Sequence, residues 1–306
     1  MRNSKTLSFL LLGLAFANYA YSSGSMEKSV TVYYTSSLNG NLDGCECKSN
    51  PKAGLVKRAA FLRRIDKSRS ILLDAGDIFD VDKDPLLSDY ILESYRDLGY
   101  TAIAVGDQEF SNGTGYLLER IRENNLISNN LKITDEDGSS IPISKDPLFL
   151  KKNGLDIVII AVISPRVFRY YPEYIKDKTD IIPVSDVLKG YLETVKVKNA
   201  DLRILIFHGP VEEAQNTAEE NRSIDVVIAG HDQRLIDTRK TGSTIIVSPG
   251  KEGNTTGILE IKKRGNNLSF NNSFVTFDYK TDPDDQPIRE MINNYRDKMT
   301  TLLQNR

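Results

Sequence analysis

Residues 202–231 read LRILIFHGPVEEAQNTAEENRSIDVVIAGH, and this stretch contains one whole unit of a layered fold. Leu202 to Phe207 and Val226 to Ile228 are short apolar, β-branched runs that read as strands, and Val211 to Glu220 between them carries a helical pattern. The same rhythm extends outward in both directions. Upstream, Val30 to Tyr34, Ile71 to Leu73 and Thr101 to Val105 read as strands, alternating with helical patterns at Leu55 to Ile65, Leu86 to Leu98 and Tyr116 to Arg122. Such alternation predicts a layered α/β domain. Asn153-Gly154, flanked by Leu148 to Leu150 and Asp156 to Val162, has the chemistry of a tight hairpin turn, so the sheet is expected to be mixed. A helix over Val187 to Val197 and a strand at Thr244 to Val247 continue the series. Beyond Gly257 the pattern becomes an antiparallel pair, Ile258 to Ile261 and Ser273 to Phe277, turning at Asn266-Asn267. A last helix starts near Pro287. Ile288, Met291, Ile292, Tyr295 and Leu302 give it a docking stripe, and Asp284-Asp285 complement its N-terminus. The expected organisation is one domain over 27–280, with the helical segment 281–306 packed on it.

The start of the chain sets an expectation about compartment. Arg2 and Lys5 precede an apolar run from Leu7 to Phe16, with small residues at Ala15, Ala17 and Ala20. That is the pattern of a secretory signal peptide over 1–23, its apolar run well short of the roughly 20 residues that span a bilayer. No cysteine stands there for lipid attachment. A periplasmic or secreted product without a membrane span follows. The chain has 40 Lys and Arg against 42 Asp and Glu, a formal net charge of -2, and no long basic block, which argues against a nucleic-acid partner. Two cysteines, Cys45 and Cys47, cannot supply a disulfide framework, so packing must carry the stability.

Histidine is the informative residue, because the only two are His208 and His231 and each directly follows an apolar strand run. Asp77 and Asp107 follow strand runs in the same way, after Ile71 to Gly76 and Ile103 to Gly106. Open α/β sheets place their ligands at strand C-terminal ends. Taken singly, each histidine reads as a hydrogen-bonded corner residue and each aspartate as a turn cap. Side by side, the four would make a sufficient ligand set for one divalent ion, Mn, Fe or Zn.

With these residues in view, the chain resembles the calcineurin-like metallophosphoesterases, most closely the catalytic domain of the 5'-nucleotidase group. The likeness rests on Tyr34 to Asn41, Asp74-Ala75-Gly76-Asp77, Val105-Gly106-Asp107-Gln108-Glu109-Phe110, Phe207-His208, Ala229-Gly230-His231-Asp232-Gln233 and Ser248-Pro249-Gly250. It implies a four-layer α/β sandwich of two mixed β-sheets flanked by helices. It also implies an eroded dimetal site. The family's Asp-x-His motif stands here as Ser37-Leu38-Asn39, its Gly-His-x-His as Gly230-His231-Asp232-Gln233, and its Gly-Asn-His-Asp/Glu as Gly106-Asp107-Gln108-Glu109. Asn39 and Gln108 thus occupy family ligand or catalytic positions, and no catalytic residue is assigned. The ligands of the second metal match Asp77, Asp107, His208 and His231, with Asp107 replacing a neutral asparagine.

Two functions are expected from this pattern. One is an exported single-metal protein with weak or altered phosphoester hydrolase activity toward a phosphoester or other small anionic ligand. The other is a catalytically inactive scaffold in an extracytoplasmic redox or envelope assembly, with an unidentified protein partner. Cys45 and Cys47 read as an easily reduced disulfide, as thiolates standing in for lost ligands, or as a plain loop staple. Lys57, Arg58, Arg63 and Arg64 read as a solvated helix face, with anion attraction as the alternative.

Overall fold

The computed structural model describes residues 27–305 apart from 49 and 122, so the expected signal peptide lies outside the described residues. In chain order the first half comprises β1 (Lys28–Thr35), α1 (Gly54–Leu62), β2 (Ser70–Asp74), α2 (Pro85–Leu98), β3 (Ala102–Ala104), α3 (Thr114–Arg120), β4 (Leu126–Ile127), β5 (Leu131–Thr134), β6 (Ser140–Pro142), β7 (Leu148–Lys152) and β8 (Leu155–Ile163). The second half comprises α4 (Glu173–Lys176), β9 (Thr179–Ile181), α5 (Val184–Leu192), α6 (Val195–Lys198), β10 (Leu202–Gly209), α7 (Val211–Glu220), β11 (Val226–His231), β12 (Leu235–Thr241), β13 (Thr244–Pro249), β14 (Thr255–Arg264), β15 (Asn267–Thr276) and α8 (Gln286–Gln304).

Two six-stranded mixed sheets result, ordered β15-β14-β1-β2-β3-β4 and β12-β13-β11-β10-β8-β7. Side-chain parity along the strands explains why they stack. Ile71 and Leu73 of β2 share one buried cluster with Ile157, Ile159, Ile204, Ile206 and Ile228 of the other sheet. The intervening Leu72 faces the opposite way, into a cluster built by Leu55, Val56 and Ala59 of α1, Leu98 of α2, and Ile288 and Ile292 of α8. On the second sheet, Val158, Ile160, Leu205 and Val227 turn outward onto Leu188 of α5, Val197 of α6 and Ala214 of α7. Helix, sheet, sheet and helix therefore make the four layers the sequence led us to expect. No helix among the described residues is long and apolar enough to cross a membrane.

Several local expectations are corrected. The helix expected over 187–197 is two, because Thr194 leaves helical geometry and caps α6 through a 3.4 Å bond from Val197 N–H. The turn between the last strands is Gly265-Asn266, since Arg264 pairs with Asn267 and Gly265 supplies the positive φ of 60°. Leu302 is exposed, so the docking stripe of α8 ends earlier, and Asp285 caps that helix by accepting from Ile288 N–H at 3.1 Å. Strand β12 and a small third sheet, β6-β5-β9, had no counterpart in the sequence reading. The solvated face expected of Lys57, Arg58, Arg63 and Arg64 is overturned for the first two, with Arg58 1% and Lys57 9% exposed, while Arg63 is half-buried and Arg64 exposed.

Candidate metal centre

Parallel pairing of β10 with β11 sets Gly209 beside His231, while β2 and β3 deliver the loops of Asp77 and Asp107 to the same edge of the sandwich. Those loops are built around glycines and left-handed backbone. Gly76 has φ 91°, and a Cβ there would lie 2.7 Å from His208 Nδ1. Asp77 at φ 61° and His231 at φ 82° hold conformations unusual for side chains of their size, a cost that sites tolerate when the surroundings over-determine it.

The over-determination is visible. Glu109 is fully buried, and its carboxylate accepts from Gly106 N–H at 2.5 Å, Ile78 N–H at 2.7 Å and Asp77 N–H at 3.1 Å. One side chain therefore clamps both ligand loops. Burial, and then the Asp77 charge, push its pKa up to about 7. Behind the same loop, Asp74 accepts from Gly76 N–H at 2.9 Å, from Thr35 Oγ1 at 2.6 Å and from the Tyr95 hydroxyl at 3.1 Å. Tyr95 in turn accepts from Arg58 Nη2 at 2.8 Å, so the buried arginine is the countercharge of this network.

At the rim, His208 Nε2 is 3.1 Å from Asp107 Oδ1 and 3.3 Å from Asp77 Oδ1, while His231 Nδ1 is 3.0 Å from Asp107 Oδ1 and 3.8 Å from Asp77 Oδ2. One donor atom from each of the four residues lies within 4.8 Å of the others, so the structure brings all four sequence candidates together. Neither cysteine joins that cluster: Cys45 and Cys47 form a disulfide with each other.

The donor set fits a divalent cation. His208 Nδ1 sits 2.7 Å from the Ala75 carbonyl, which can only accept, so Nδ1 carries the proton and the Nε2 lone pair points at two carboxylates. Lone pairs facing one another at 3.0–3.3 Å need a positive charge between them, whether a proton or a metal ion. The same geometry sets the titration of the ion-free cluster. Burial opposes charge on His208, but Asp77 and Asp107 overcome it and hold its pKa well above the ordinary value. Hydrogen bonds to Asp107 and Asp77 raise His231 to about 9. Asp77 is held well below the carboxylate range: burial pushes it up, and the His208 charge and hydrogen bonds outweigh that.

Asn39, at φ 52°, donates its N–H to the Asp77 carbonyl at 3.0 Å, and Gln108 N–H donates to Asp77 Oδ1 at 3.1 Å. Asn39 Oδ1 and Gln108 Oε1 are buried without a partner among the described residues. Asp232 turns aside and caps α7, accepting from Val211 N–H at 2.8 Å. Two neighbours were missed by the sequence reading. Glu109 was visible only as the end of a motif. Tyr171 packs on Phe168 with ring centroids 5.2 Å apart; burial, then the Asp107 and Asp77 charges, raise its pKa. The aromatic run Phe168 to Tyr171 was its only sequence signal.

Comparison with known proteins agrees with this architecture. No protein-family model matches the chain. It is 32% identical over 141 residues to an uncharacterized metallophosphoesterase, YunD, of Bacillus subtilis, covering 44% of this chain and 28% of that protein. It is 27% identical over 236 residues to a 5'-nucleotidase of Diplobatis ommata, covering 70% of this chain and 39% of that one. The chain thus spans well under half the length of these curated relatives. Among solved structures, a 5'-nucleotidase precursor from Thermus thermophilus superposes with TM-score 0.75 at 18% identity, covering 90% of this chain and 60% of that one. These relatives and neighbours support a likeness to the calcineurin-like metallophosphoesterase superfamily. Within it, the fold is that of the 5'-nucleotidase group, and a divalent metal is the cofactor the superfamily implies.

Proposed function

We propose that this protein is an exported phosphoester hydrolase of weak or altered activity that works with one divalent ion, Mn, Fe or Zn, held by Asp77, Asp107, His208 and His231. The observation that carries the reading is the convergence of those four donors at one strand edge, while Asn39, Gln108 and Gln233 stand where the family keeps its other ligands. Two ions about 3.5 to 4 Å apart would share the attacking water and clamp both oxygens; one ion supplies Lewis-acid polarisation and an acidified water only. The chain's own part is to fix geometry. Ala75 orients the His208 ring, Glu109 locks the two aspartate loops, and Asp107 sets its carboxylate between the two imidazoles. The substrate class is a phosphoester or other small anionic ligand. Export rests on the charged and apolar pattern of residues 1–23.

The test is metal content of the mature protein by elemental analysis beside His208→Ala, followed by a phosphoester panel. One ion per chain, lost in the variant, with turnover that collapses in His208→Ala and Asp77→Asn, supports the reading. No ion after Mn, Fe or Zn challenge removes it. That result would leave the catalytically silent scaffold, which the substitutions at Asn39, Gln108 and Gln233 also favour.

A further inference from the structure

The disulfide between Cys45 and Cys47 is poorly suited to the role of a staple. It closes a ring of only three residues, and so short a ring removes little entropy from the unfolded chain. The loop already has its own supports. Cys45 and Lys52 exchange both backbone hydrogen bonds, at 2.8 and 2.9 Å, Asn50 Nδ2 donates to Glu252 at 2.9 Å, and Lys52 pairs with Glu252 at 3.2 Å. Glu46, between the cysteines, pairs with Lys280 at 2.5 Å. Cys47 and Glu46 are exposed and Cys45 is half-buried, which leaves the Cys47 sulfur open to attack.

The surroundings also favour opening the bond. Exposed disulfides outside stability frameworks are the exchangeable kind, and Lys52, which shares the backbone bridge with Cys45, is held by Glu252 and leaves the sulfurs uncovered.

We propose that Cys45–Cys47 is a thiol–disulfide exchange site for an extracytoplasmic dithiol. A thiolate of the dithiol attacks Cys47 Sγ, the Cys45–Cys47 bond breaks, and its electron pair leaves on Cys45 Sγ, which takes a proton from water. The partner's second thiol gives its proton to water and, as thiolate, attacks the partner's own sulfur in the mixed disulfide; Cys47 Sγ leaves with the bonding pair and takes a proton from water. In sum, two electrons reduce the pair to two thiols, and the dithiol is oxidised to its disulfide. The proposal does not depend on the metal centre.

The test equilibrates the folded mature protein with dithiothreitol and with a series of reduced-to-oxidised glutathione ratios, alkylates, and weighs the product. The expected result is half-opening at ratios that leave structural disulfides of secreted proteins closed, without loss of fold. The double variant Cys45→Ser/Cys47→Ser is expected to melt within about 2 °C of the parent. A bond that opens only after denaturation, or a double variant that melts many degrees lower, overturns the proposal and makes the pair a staple. The Asp77→Asn variant should exchange at the parent's ratio, so failure of the hydrolase reading and failure of this one are told apart.

Discussion

Replacing Arg58 with methionine is the sharpest test of how this fold holds its rim. The guanidinium is 1% exposed and reaches the fully buried Asp74 through the Tyr95 hydroxyl, by steps of 2.8 and 3.1 Å. Arg58→Met keeps much of the volume and strands the Asp74 carboxylate. Breaking a buried pair from one side costs about 3–5 kcal/mol, because the remaining charge is left uncompensated. At roughly 2–4 °C per kcal/mol for a chain of this size, the melting midpoint should fall by roughly 10 °C at pH 8. Burial already raises the Asp74 pKa, and Arg58 is the main influence holding it down. In the variant it rises further. The folded state then binds more protons than the unfolded one between the ordinary aspartate pKa and the raised value, so stability falls as pH rises through that window and flattens above it. The penalty should therefore shrink at pH 5. Adding Asp74→Asn removes the stranded charge and should recover most of the loss, a coupling that urea denaturation of the four proteins of the cycle measures directly. A single variant within about 1 kcal/mol of the parent at pH 8, or a double variant no better than the single, would refute the idea that Arg58 is the countercharge.

Three further outcomes are expected. Glu109→Gln retains shape but offers one acceptor oxygen to the N–H groups of Gly106, Ile78 and Asp77, so metal affinity by calorimetry should fall about 10–100-fold. In metal-free protein, His231 raised to about 9 contributes stability that is whole below the ordinary histidine value and is lost as pH climbs through 9. Melting midpoints of chelator-treated protein should thus decline over that interval; a flat profile would mean that His231 is not charged in the ion-free cluster. Gly190 sits on the exposed side of α5 with nothing within 4 Å of an added Cβ, so Gly190→Ala should stabilise by about 0.5–1 kcal/mol in denaturant titration.

The layered fold was readable because its central strands are covered on both faces. Leu202 to Phe207 and Val226 to Ile228 are nearly unbroken apolar runs, and a run that ends on the same residue type twice, His208 and His231, marks a common edge. What escaped was held by partners distant in sequence. Strand β12, Leu235–Thr241, is an edge paired on one side only and mostly exposed, so after Leu235 and Ile236 its residues are polar and show no apolar alternation. Arg58 resembles any helix-surface arginine until Tyr95 and Asp74 are brought over it. Tyr171 reaches the rim only because Pro165–Tyr170 forms a short helical turn that packs Phe168 on Phe110, with ring centroids 5.1 Å apart.

The position at 107 bears most on the single-ion reading. Asp107 Oδ1 lies 3.1 Å from one imidazole nitrogen and 3.0 Å from the other, so this single oxygen faces both histidines. A neutral amide oxygen at that point would leave Asp77 as the only charged ligand of a divalent ion, with a second ion needed nearby to organise the anionic reactants. A carboxylate there brings two negative charges to one divalent cation and lets the four-donor cluster approach neutrality alone. Asp107→Asn should then weaken retention of a lone ion while leaving the fold intact, since the Glu109 clamp uses backbone N–H groups that the substitution does not touch. Elemental analysis of purified Asp107→Asn should find less than one ion per chain; full occupancy would show that the added charge is not what holds the ion.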